Sequence, residues 1–491
     1  MAMPPITLVT RLSFGAGAVA NGIKTASFTT YLMLYYNQVI GVSAAIVSLA
    51  VAATLVVDAF ADPIIGRWSD VTRSRWGRRH PFIYGSAVPT AIFFTATWFP
   101  PSGMTEIQTG WWIFVMATLT RMALSAYEIP TSAMVSELTD NYGERTKLFS
   151  LRYVFGYVGA FGFTAFALAF FLVATPEFPK GQLNPAGYGP FALMGGILCF
   201  VAIMVCGLGT HSRIPMLRQP NNAEPTLSTA AHCREMFQSF NHRGFLSIFG
   251  FGVCKYTAIG LYSAMTLYFA TYLFKLTSGQ TAILTLDSLV AAFIAAPLAP
   301  YFSRRIGKRA SSMIFAILGI VIGLSPLVLS YAGLFYRPGD SALVPVLFVI
   351  GAVYGAMIAM SLINTSSMLA DVVEDSAVET GRHTAGTFFA ASSFMQQCAT
   401  ALGTGIAGIV LTLSAFPVKA NPTTIDPAAV DSLIAYYVPT TFLLWIVGAA
   451  ILSFYPIDQA RHERNLAALR AREAEAMANE AANLPLGAPA R

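Results

Sequence analysis

Residues 58–81 read Asp58-Ala-Phe-Ala-Asp62-Pro-Ile-Ile-Gly66-Arg67-Trp-Ser-Asp70-Val-Thr-Arg73-Ser-Arg75-Trp-Gly77-Arg78-Arg79-His80-Pro81. The stretch places two carboxylates four residues apart in an apolar segment and then turns into a dense basic loop. Residues i and i+4 share one face of a helix, so Asp58 and Asp62 reach the same small space. A charge at the centre of a membrane helix costs at least ~2.5–3.5 kcal/mol. The pair therefore indicates a functional site, and a cation or a proton is its simplest partner.

The rest of the composition predicts that this pair lies inside a membrane. Hydrophobic residues make up 55% of the 491 residues and charged residues 11%, against roughly 25% charged in soluble domains. Apolar runs of about 20 residues recur along the chain, and each is long enough to cross the hydrocarbon core. The sequence predicts an all-α integral membrane protein with twelve spans, numbered 1 to 12 below: 12–37, 43–66, 82–100, 111–137, 149–174, 188–209, 245–274, 279–302, 311–332, 342–370, 384–414 and 433–455.

Lysine and arginine gather on one side of these spans. The loops after the even-numbered spans 2 to 10, together with the C-terminal tail, hold 22 of the 30 basic residues. By the positive-inside rule this side is cytoplasmic. We therefore expect a multi-pass protein of the cell inner membrane with both termini in the cytoplasm. The net charge of +6 follows from topology, so it does not indicate nucleic-acid binding. We expect contacts with lipid and a small molecule, and a monomer.

A polar linker divides the chain into two sets of six spans. We expect an N-terminal six-helix half at 1–210, a cytoplasmic linker at 211–243, a C-terminal half at 244–456 and a cytoplasmic tail at 457–491. A weak repeat supports the division, because Gly77-Arg78-Arg79 follows span 2 and Gly307-Lys308-Arg309 follows the second span of the other half. Two such halves rocking about a central site are typical of secondary transporters.

Three blocks of sequence resemble a known family. The Asp58-x-x-x-Asp62-Pro-x-x-Gly block with its basic loop is similar to that of the glycoside–pentoside–hexuronide:cation symporters of the major facilitator superfamily. Asp371-Val-Val-Glu374-Asp375 and Glu379-Thr-Gly-Arg382 agree with the same family, and Glu128-Ile-Pro130 agrees more weakly. The resemblance covers the chain to about residue 455. It implies the major facilitator fold and symport of a small organic solute with H⁺ or Na⁺.

The resemblance also implies the cation-binding residues. In the family the two span 2 aspartates bind the coupling cation, which assigns this role to Asp58 and Asp62, and Ser125 matches a hydroxyl from span 4. The family's side-chain carbonyl just before the second aspartate is replaced by Ala61, which has no side-chain oxygen. This loss favours H⁺ over Na⁺, because neighbouring carboxylates hold a proton readily. No other metal and no cofactor is expected. The five cysteines follow no metal-binding or disulfide spacing.

The family's sugar-binding residues are only partly present. Glu128 and Arg152 stand at an acidic and a basic position, and together they can hold a polyol or an acid or simply pair with each other. The span 1 acid is replaced by Gly22 and the span 4 tryptophan by Ser132. The expected substrate-binding residues are Asn21, Lys24, Tyr127, Glu128, Arg152, Tyr153, Asn364 and Gln397. The favoured substrate is a glycoside, sugar or sugar acid. A lysolipid or another amphipathic molecule, or a sensor without transport, stays open.

Other charged residues suggest a gate and two further intramembrane positions. Basic and acidic residues that face the cytoplasm in the two halves are expected to pair across them and close that side: Arg67, Asp70, Arg75, Arg78, Arg79, Asp371, Asp375 and Glu379. Lys255 in span 7 and Asp287 in span 8 are expected to form an interhelical ion pair. Arg121 is placed to neutralise Asp58 or Asp62.

An enzyme is not expected. The spacings Asp58-x-x-x-Asp62 and Asp371-x-x-x-Asp375 resemble the paired motifs of intramembrane prenyltransferases. Those motifs must face one cavity, however, whereas here one lies in mid-bilayer and the other at the cytoplasmic surface. No Ser/His/Asp arrangement, phosphate-binding loop or zinc-protease motif is found in the sequence.

Overall fold

The structure is a computed structural model, and it describes residues 6–139, 142–217, 242–380, 385–465, 467, 468 and 471. Its helices coincide with the twelve predicted spans. Span 1 is divided into Leu8–Ala16, Ala18–Ala26 and Leu32–Leu34 with π-helical turns at Ser27–Tyr31 and Tyr35–Ile40. The other spans of the first six are Ala44–Val71, His80–Thr97, Glu106–Leu138, Tyr142–Tyr157 with Val158–Gly162 and Phe163–Phe170, and Pro185–His211.

Spans 7 to 12 follow the part of the linker at 218–241 that lies outside the described residues. They are Arg243–Tyr268 with Phe269–Leu273, Ser278–Leu284 with Asp287–Ile306, Lys308–Tyr331, Leu343–Thr380, Ala385–Leu413 and Pro427–Leu452. Within the described ranges, nine helices are long and apolar enough to cross a membrane by themselves. Spans 1, 3 and 4 are not among them, but they pack in the same bundle between spans that are.

Capping residues explain where several of these helices begin. Thr105 and Thr277 each form a capping box with the glutamine three residues later, which satisfies free backbone N–H groups at the helix start. Asn184 and Asp426 cap helices that begin with proline, whose missing N–H is not needed there. Span 1 ends at Gly41, which adopts φ +96°, a conformation that glycine reaches without strain.

The helices pack in two groups, spans 1–6 and spans 7–12. The groups meet chiefly where span 2 packs on span 11, span 1 on span 7 and span 5 on span 8. We call the end of the bundle that carries the loops after even-numbered spans the basic end, and the other the opposite end. The cavity described below lies between the two groups.

Hydrogen bonds hold the two groups together at the opposite end. Gln38 accepts from Tyr272 Oη at 2.8 Å and donates to the Pro417 carbonyl at 3.1 Å. Gln182 donates to Thr271 Oγ1 at 2.9 Å, and the Lys180 ammonium donates to the Lys275 and Leu276 carbonyls. These bonds join spans 1–6 to spans 7–12, so the structure is closed at this end.

Candidate functional site

The predicted carboxylate pair lies on span 2 in the middle of the bundle. Asp58 is 6% exposed; its Oδ1 accepts a hydrogen bond from Ser125 Oγ at 3.3 Å, and its Oδ2 lies 3.5 Å from Arg121 Nη1. The structure thus brings together the three expected residues Asp58, Asp62 and Ser125. It also places Arg121 against Asp58, where the guanidinium offsets one of the two negative charges.

Asp62 is bonded to the other group of helices. Gln397 Nε2 of span 11 donates to Asp62 Oδ2 at 2.8 Å. In the described part of the chain, the second oxygen of Asp62, Oδ1, is buried with no hydrogen-bond partner. A buried oxygen without a donor is costly, so this atom is a place where a proton or a cation would be stabilised. Gln397 was expected among the substrate-binding residues, but it contacts the carboxylate pair instead.

Two more basic groups surround the pair. The Arg121 guanidinium carbon lies 5.5 Å from the centre of the Phe28 ring. Lys24 lies near enough to Asp58, Asp62, Glu128 and Arg121 to interact with each through charge. Lys24 therefore sits between the carboxylate pair and the Glu128 cluster rather than in the wall of the large cavity.

A cavity of about 920 Å³ lies between the two groups of helices. Asn21, Glu128, Arg152 and Tyr153, all expected substrate-binding residues, line its wall on the side of spans 1–6. Asn21 Nδ2 donates to Glu128 Oε1 at 2.9 Å, and Arg152 Nη2 lies 3.5 Å from the same oxygen. The carboxylate is thus held by both neighbours, and its cluster offers both acceptors and donors to a ligand.

Two expected residues lie elsewhere. Tyr127 is fully buried and packs against Gly17 and Cys206, because it precedes Glu128 by one residue and the side chains of adjacent residues point about 100° apart on a helix. Asn364 is also buried, and its Nδ2 donates to Ser311 Oγ at 2.8 Å. The prediction that these two face the substrate is wrong for this structure, since neither lines the cavity.

Close helix packing explains why the span 1 acid of the resembled family is missing. A Cβ atom on Gly22 would overlap the carbonyl oxygen of Gly156, and one on Gly159 would overlap the Val19 carbonyl. Spans 1 and 5 therefore meet backbone to backbone at this level. A carboxylate side chain at position 22 does not fit.

The analysis of the sequence did not assign the cavity wall formed by spans 7–12. This wall includes Asp287, Tyr262, Tyr354 and Gln396. Asp287 was expected to pair with Lys255, but Lys255 Nζ lies over the Phe251 and Tyr256 rings, at 5.1 and 4.7 Å from their centres. The presence of an acid in an apolar span signalled Asp287, whereas nothing in the sequence located the tyrosines relative to it.

At the basic end, the resolved ion pairs of the predicted gate residues in spans 1–6 stay within that group. Arg78 Nη2 and Arg79 Nη2 lie 2.6 and 3.0 Å from Glu137 Oε1, and Arg79 Nη1 lies 2.7 Å from Asp70. Glu137 had not been assigned a role. Arg67 and Arg75 are exposed at the same end, with the Arg75 guanidinium over the Trp76 ring at 5.2 Å.

The acidic gate residues likewise pair inside spans 7–12 and the tail. Lys308 Nζ lies 2.7 Å from Asp371, and Arg461 donates twice to Asp375 at 2.8 Å. His242 Nε2 also lies 3.0 Å from Asp375. The expected partners of Asp70, Arg78, Arg79, Asp371 and Asp375 are therefore replaced by nearer residues of their own group. The Glu379 side chain lies outside the described residues.

A group of possible metal ligands occurs in this same network. Asp371, Glu374 and His462 place their ligand atoms within 4.8 Å of one another. His462 Nδ1 lies 3.3 Å from Asp371 and 3.2 Å from Glu374. Because Asp371 is already held by Lys308, the arrangement reads as an ionic network between span 10 and the residues that follow span 12.

Comparisons with known proteins agree with this geometry. An uncharacterised symporter of Synechocystis is 26% identical over 94% of this chain and 97% of its own length. The isoprimeverose transporter of Lactiplantibacillus pentosus is 26% identical over 91% of this chain and 88% of its own length. A crystal structure of a mutant of the nucleoside transporter NupG superposes with a TM-score of 0.62 at 15% identity, covering 91% of this chain and 99% of that one.

The family model described as "MFS/sugar transport protein" matches residues 13–459. This match covers all twelve spans, the carboxylate pair and both walls of the cavity. The chain belongs to the MFS/sugar transport protein family, and it is a membrane transporter rather than an enzyme.

Proposed function

We propose that this protein is a symporter that moves a glycoside, sugar or sugar acid together with a cation bound at Asp58 and Asp62. The observation that carries the proposal is the Asp62 carboxylate. One of its oxygens is bonded to Gln397 across the two groups of helices, and the other is buried without a donor. Loading of this free oxygen by a cation would be felt by both groups, as coupling requires.

H⁺ is the coupling ion that this site favours over Na⁺. Arg121 already stands against Asp58, and Lys24 lies near both carboxylates, so a sodium ion would join two positive charges. Ala61 adds no side-chain oxygen. A proton needs only one oxygen, and Asp62 Oδ1 supplies it.

The substrate site is the cavity between the groups. Glu128, held by Asn21 and Arg152, offers a carboxylate and a guanidinium to hydroxyl or carboxyl groups of a substrate. The isoprimeverose transporter among the relatives carries a two-ring sugar by its name, which supports a glycoside here. Lys24 and Tyr153 stay in this proposal, Lys24 as a link between the two sites and Tyr153 as part of the cavity wall.

Transport follows by alternating access of two halves, 1–210 and 244–456, joined by the linker 211–243. The bonds of Gln38, Gln182 and Lys180 close the opposite end, while the resolved pairs of Asp371 and Asp375 stay within the C-terminal half. We infer that this is the state open toward the cytoplasm, with both termini and the tail 457–491 on that side of the inner membrane. Cross-half pairs of the gate residues would form in the other state.

The test is uptake of radiolabelled compounds into proteoliposomes under an imposed proton or sodium gradient. The panel contains isoprimeverose, cellobiose, D-xylose, D-glucose, glucuronate and a lysophospholipid. Wild type is compared with Asp58→Asn and Asp62→Asn, and with Asp431→Asn as the matched control because Asp431 is an exposed acid of span 12.

Proton-driven accumulation of a sugar that is lost in the first two variants and kept in the third would support the proposal. Accumulation that depends on sodium alone would overturn the choice of ion. Accumulation of the lysophospholipid alone would overturn the substrate class, and unimpaired uptake by Asp62→Asn would overturn the coupling role.

A further inference from the structure

The span 8 acid that remained without a role, Asp287, lies at a break in its helix. The first segment of the span ends at Leu284, the second begins at Asp287, and Leu286 between them makes no side-chain cap. Interrupted helices in transporters occur where the backbone lines a substrate cavity. Here the break places Asp287 and the neighbouring Ser288 in the wall of the cavity, on the side of spans 7–12.

The Asp287 carboxylate has one oxygen to spare. Ser288 Oγ donates to Oδ1 at 2.9 Å. Oδ2 lies directly over Gly351 of span 10, where any Cβ would overlap it. In the described ranges no basic side chain pairs with Asp287, and Lys255 is occupied with its two aromatic rings. An acid inside a membrane protein without a partner marks a ligand pathway.

Aromatic rings flank this carboxylate. Tyr262 and Tyr354 lie with ring centres 5.3 Å apart and planes inclined by 50°, and both line the cavity. A carboxylate accepts hydrogen bonds from hydroxyl groups, and aromatic side chains supply the apolar surface against which the face of a sugar ring packs. Ser132, in the opposite wall, leaves no such surface there. The two walls are therefore complementary, with Glu128 and Arg152 on one and an acid with tyrosines on the other.

We propose that Asp287, Tyr262 and Tyr354 form a second sugar-binding subsite, so that the substrate is a two-ring glycoside held by both walls of the cavity. One ring contacts Glu128 and Arg152. The hydroxyl groups of the other donate to Asp287, and its face packs on the tyrosines. The cavity of about 920 Å³ lies near the upper end of the ~300–1,000 Å³ found for small-molecule sites. This inference rests on the proposed function, and it makes Asp287 a determinant of substrate size.

The test compares two-ring with one-ring compounds. Competition against labelled isoprimeverose or cellobiose, whichever wild type accumulates, is measured in proteoliposomes with those two glycosides and with D-xylose and D-glucose. We expect the two-ring compounds to bind at least tenfold more tightly than their single rings. Asp287→Asn should weaken the two-ring compounds at least tenfold and change the single rings less than twofold.

Two further variants make the result specific. Gly351→Ala keeps the carboxylate but pushes on Oδ2, so it should weaken two-ring binding in the same way. Lys255→Met removes an intramembrane charge that does not line the cavity and should leave the preference unchanged. Each variant is first shown to be monodisperse by size-exclusion chromatography, and Gly351→Ala serves as the test if Asp287→Asn does not fold.

The outcomes separate the two proposals. Equal affinity of wild type for one-ring and two-ring compounds, or an unchanged preference in both Asp287→Asn and Gly351→Ala, would overturn the subsite and leave the symporter proposal standing. Failure of wild type to accumulate any sugar would overturn the sugar symporter itself, and the subsite with it.

Discussion

Gln397 Nε2 donates a 2.8 Å hydrogen bond to Asp62 Oδ2, and this bond joins span 11 to the carboxylate pair of span 2. Span 2 and span 11 belong to different groups of helices, and they pack against each other along their length. When a cation or proton loads Asp62, the bond to Gln397 changes with it. The ion site and the contact between the groups are thus one structure.

Replacing Gln397 is expected to uncouple transport. In Gln397→Leu the Asp62 carboxylate loses its donor, and hydrogen bonds to charged groups contribute about 1.5–3 kcal/mol. We expect gradient-driven uptake to fall roughly tenfold or more, while substrate still binds. Uptake and equilibrium binding in the same preparation measure this. Thr400→Val, an exposed change on the same helix, is the control, and a Gln397→Leu protein that still concentrates substrate fully would contradict the prediction.

Arg121 is expected to matter for the return of the empty carrier. Its guanidinium lies 3.5 Å from Asp58, so it offsets a charge that would otherwise be bare when no cation is bound. Arg121→Gln should therefore slow net uptake at least tenfold, but exchange of internal for external substrate should continue because the loaded carrier is unaffected. Net flux and counterflow distinguish the two. Arg337→Gln, at an exposed loop, should change neither, and equal loss of both fluxes in Arg121→Gln would count against this role.

Gly22 is expected to tolerate no side chain. A Cβ there overlaps the Gly156 carbonyl, and overpacking of this kind costs typically 1–3 kcal/mol. Gly22→Ala should lower the thermal unfolding midpoint by several degrees, and Gly22→Asp should lower it further instead of restoring a sugar-binding acid. Gly85→Ala is the matched control, because a Cβ at that helical glycine has nothing within 4 Å. Equal midpoints for the variants at positions 22 and 85 would refute the close contact.

The closed opposite end is expected to depend on pH through Lys180. Burial, and then the neighbouring Lys275, lower the pKa of Lys180 in this state. When the end opens, Lys180 becomes solvated and its pKa returns toward about 10.4. The closed state thus binds fewer protons, so raising the pH toward that value should favour closure, and lowering it should favour opening.

Spin labels report this equilibrium. Labels at Glu177→Cys and Asp340→Cys, both exposed residues of the opposite end in different groups of helices, should show a larger share of the short distance as pH rises from neutrality toward 10. Lys180→Met should remove that dependence. A dependence that persists in Lys180→Met would assign it to another group.

The sequence predicted the spans because hydropathy is a local property that each segment carries by itself. It predicted that Asp58 and Asp62 share a face because the helical repeat fixes their spacing. Ser125 near Asp58, and Asn21, Glu128 and Arg152 in one cluster, followed from the family resemblance, and the structure brings those residues together.

The tertiary structure decided everything that depends on which remote segments meet. Arg79 pairs with Glu137, Asp375 with Arg461, and Asp62 with Gln397, and no local pattern selects these partners from the other charged and polar residues of the chain. The same holds for Asp287, which the sequence marked as costly in a membrane but which only the packing of spans 8 and 10 leaves facing the cavity. Hydropathy and helical periodicity are set by neighbours along the chain, whereas the partner of a buried charge is set by distances between helices far apart in sequence.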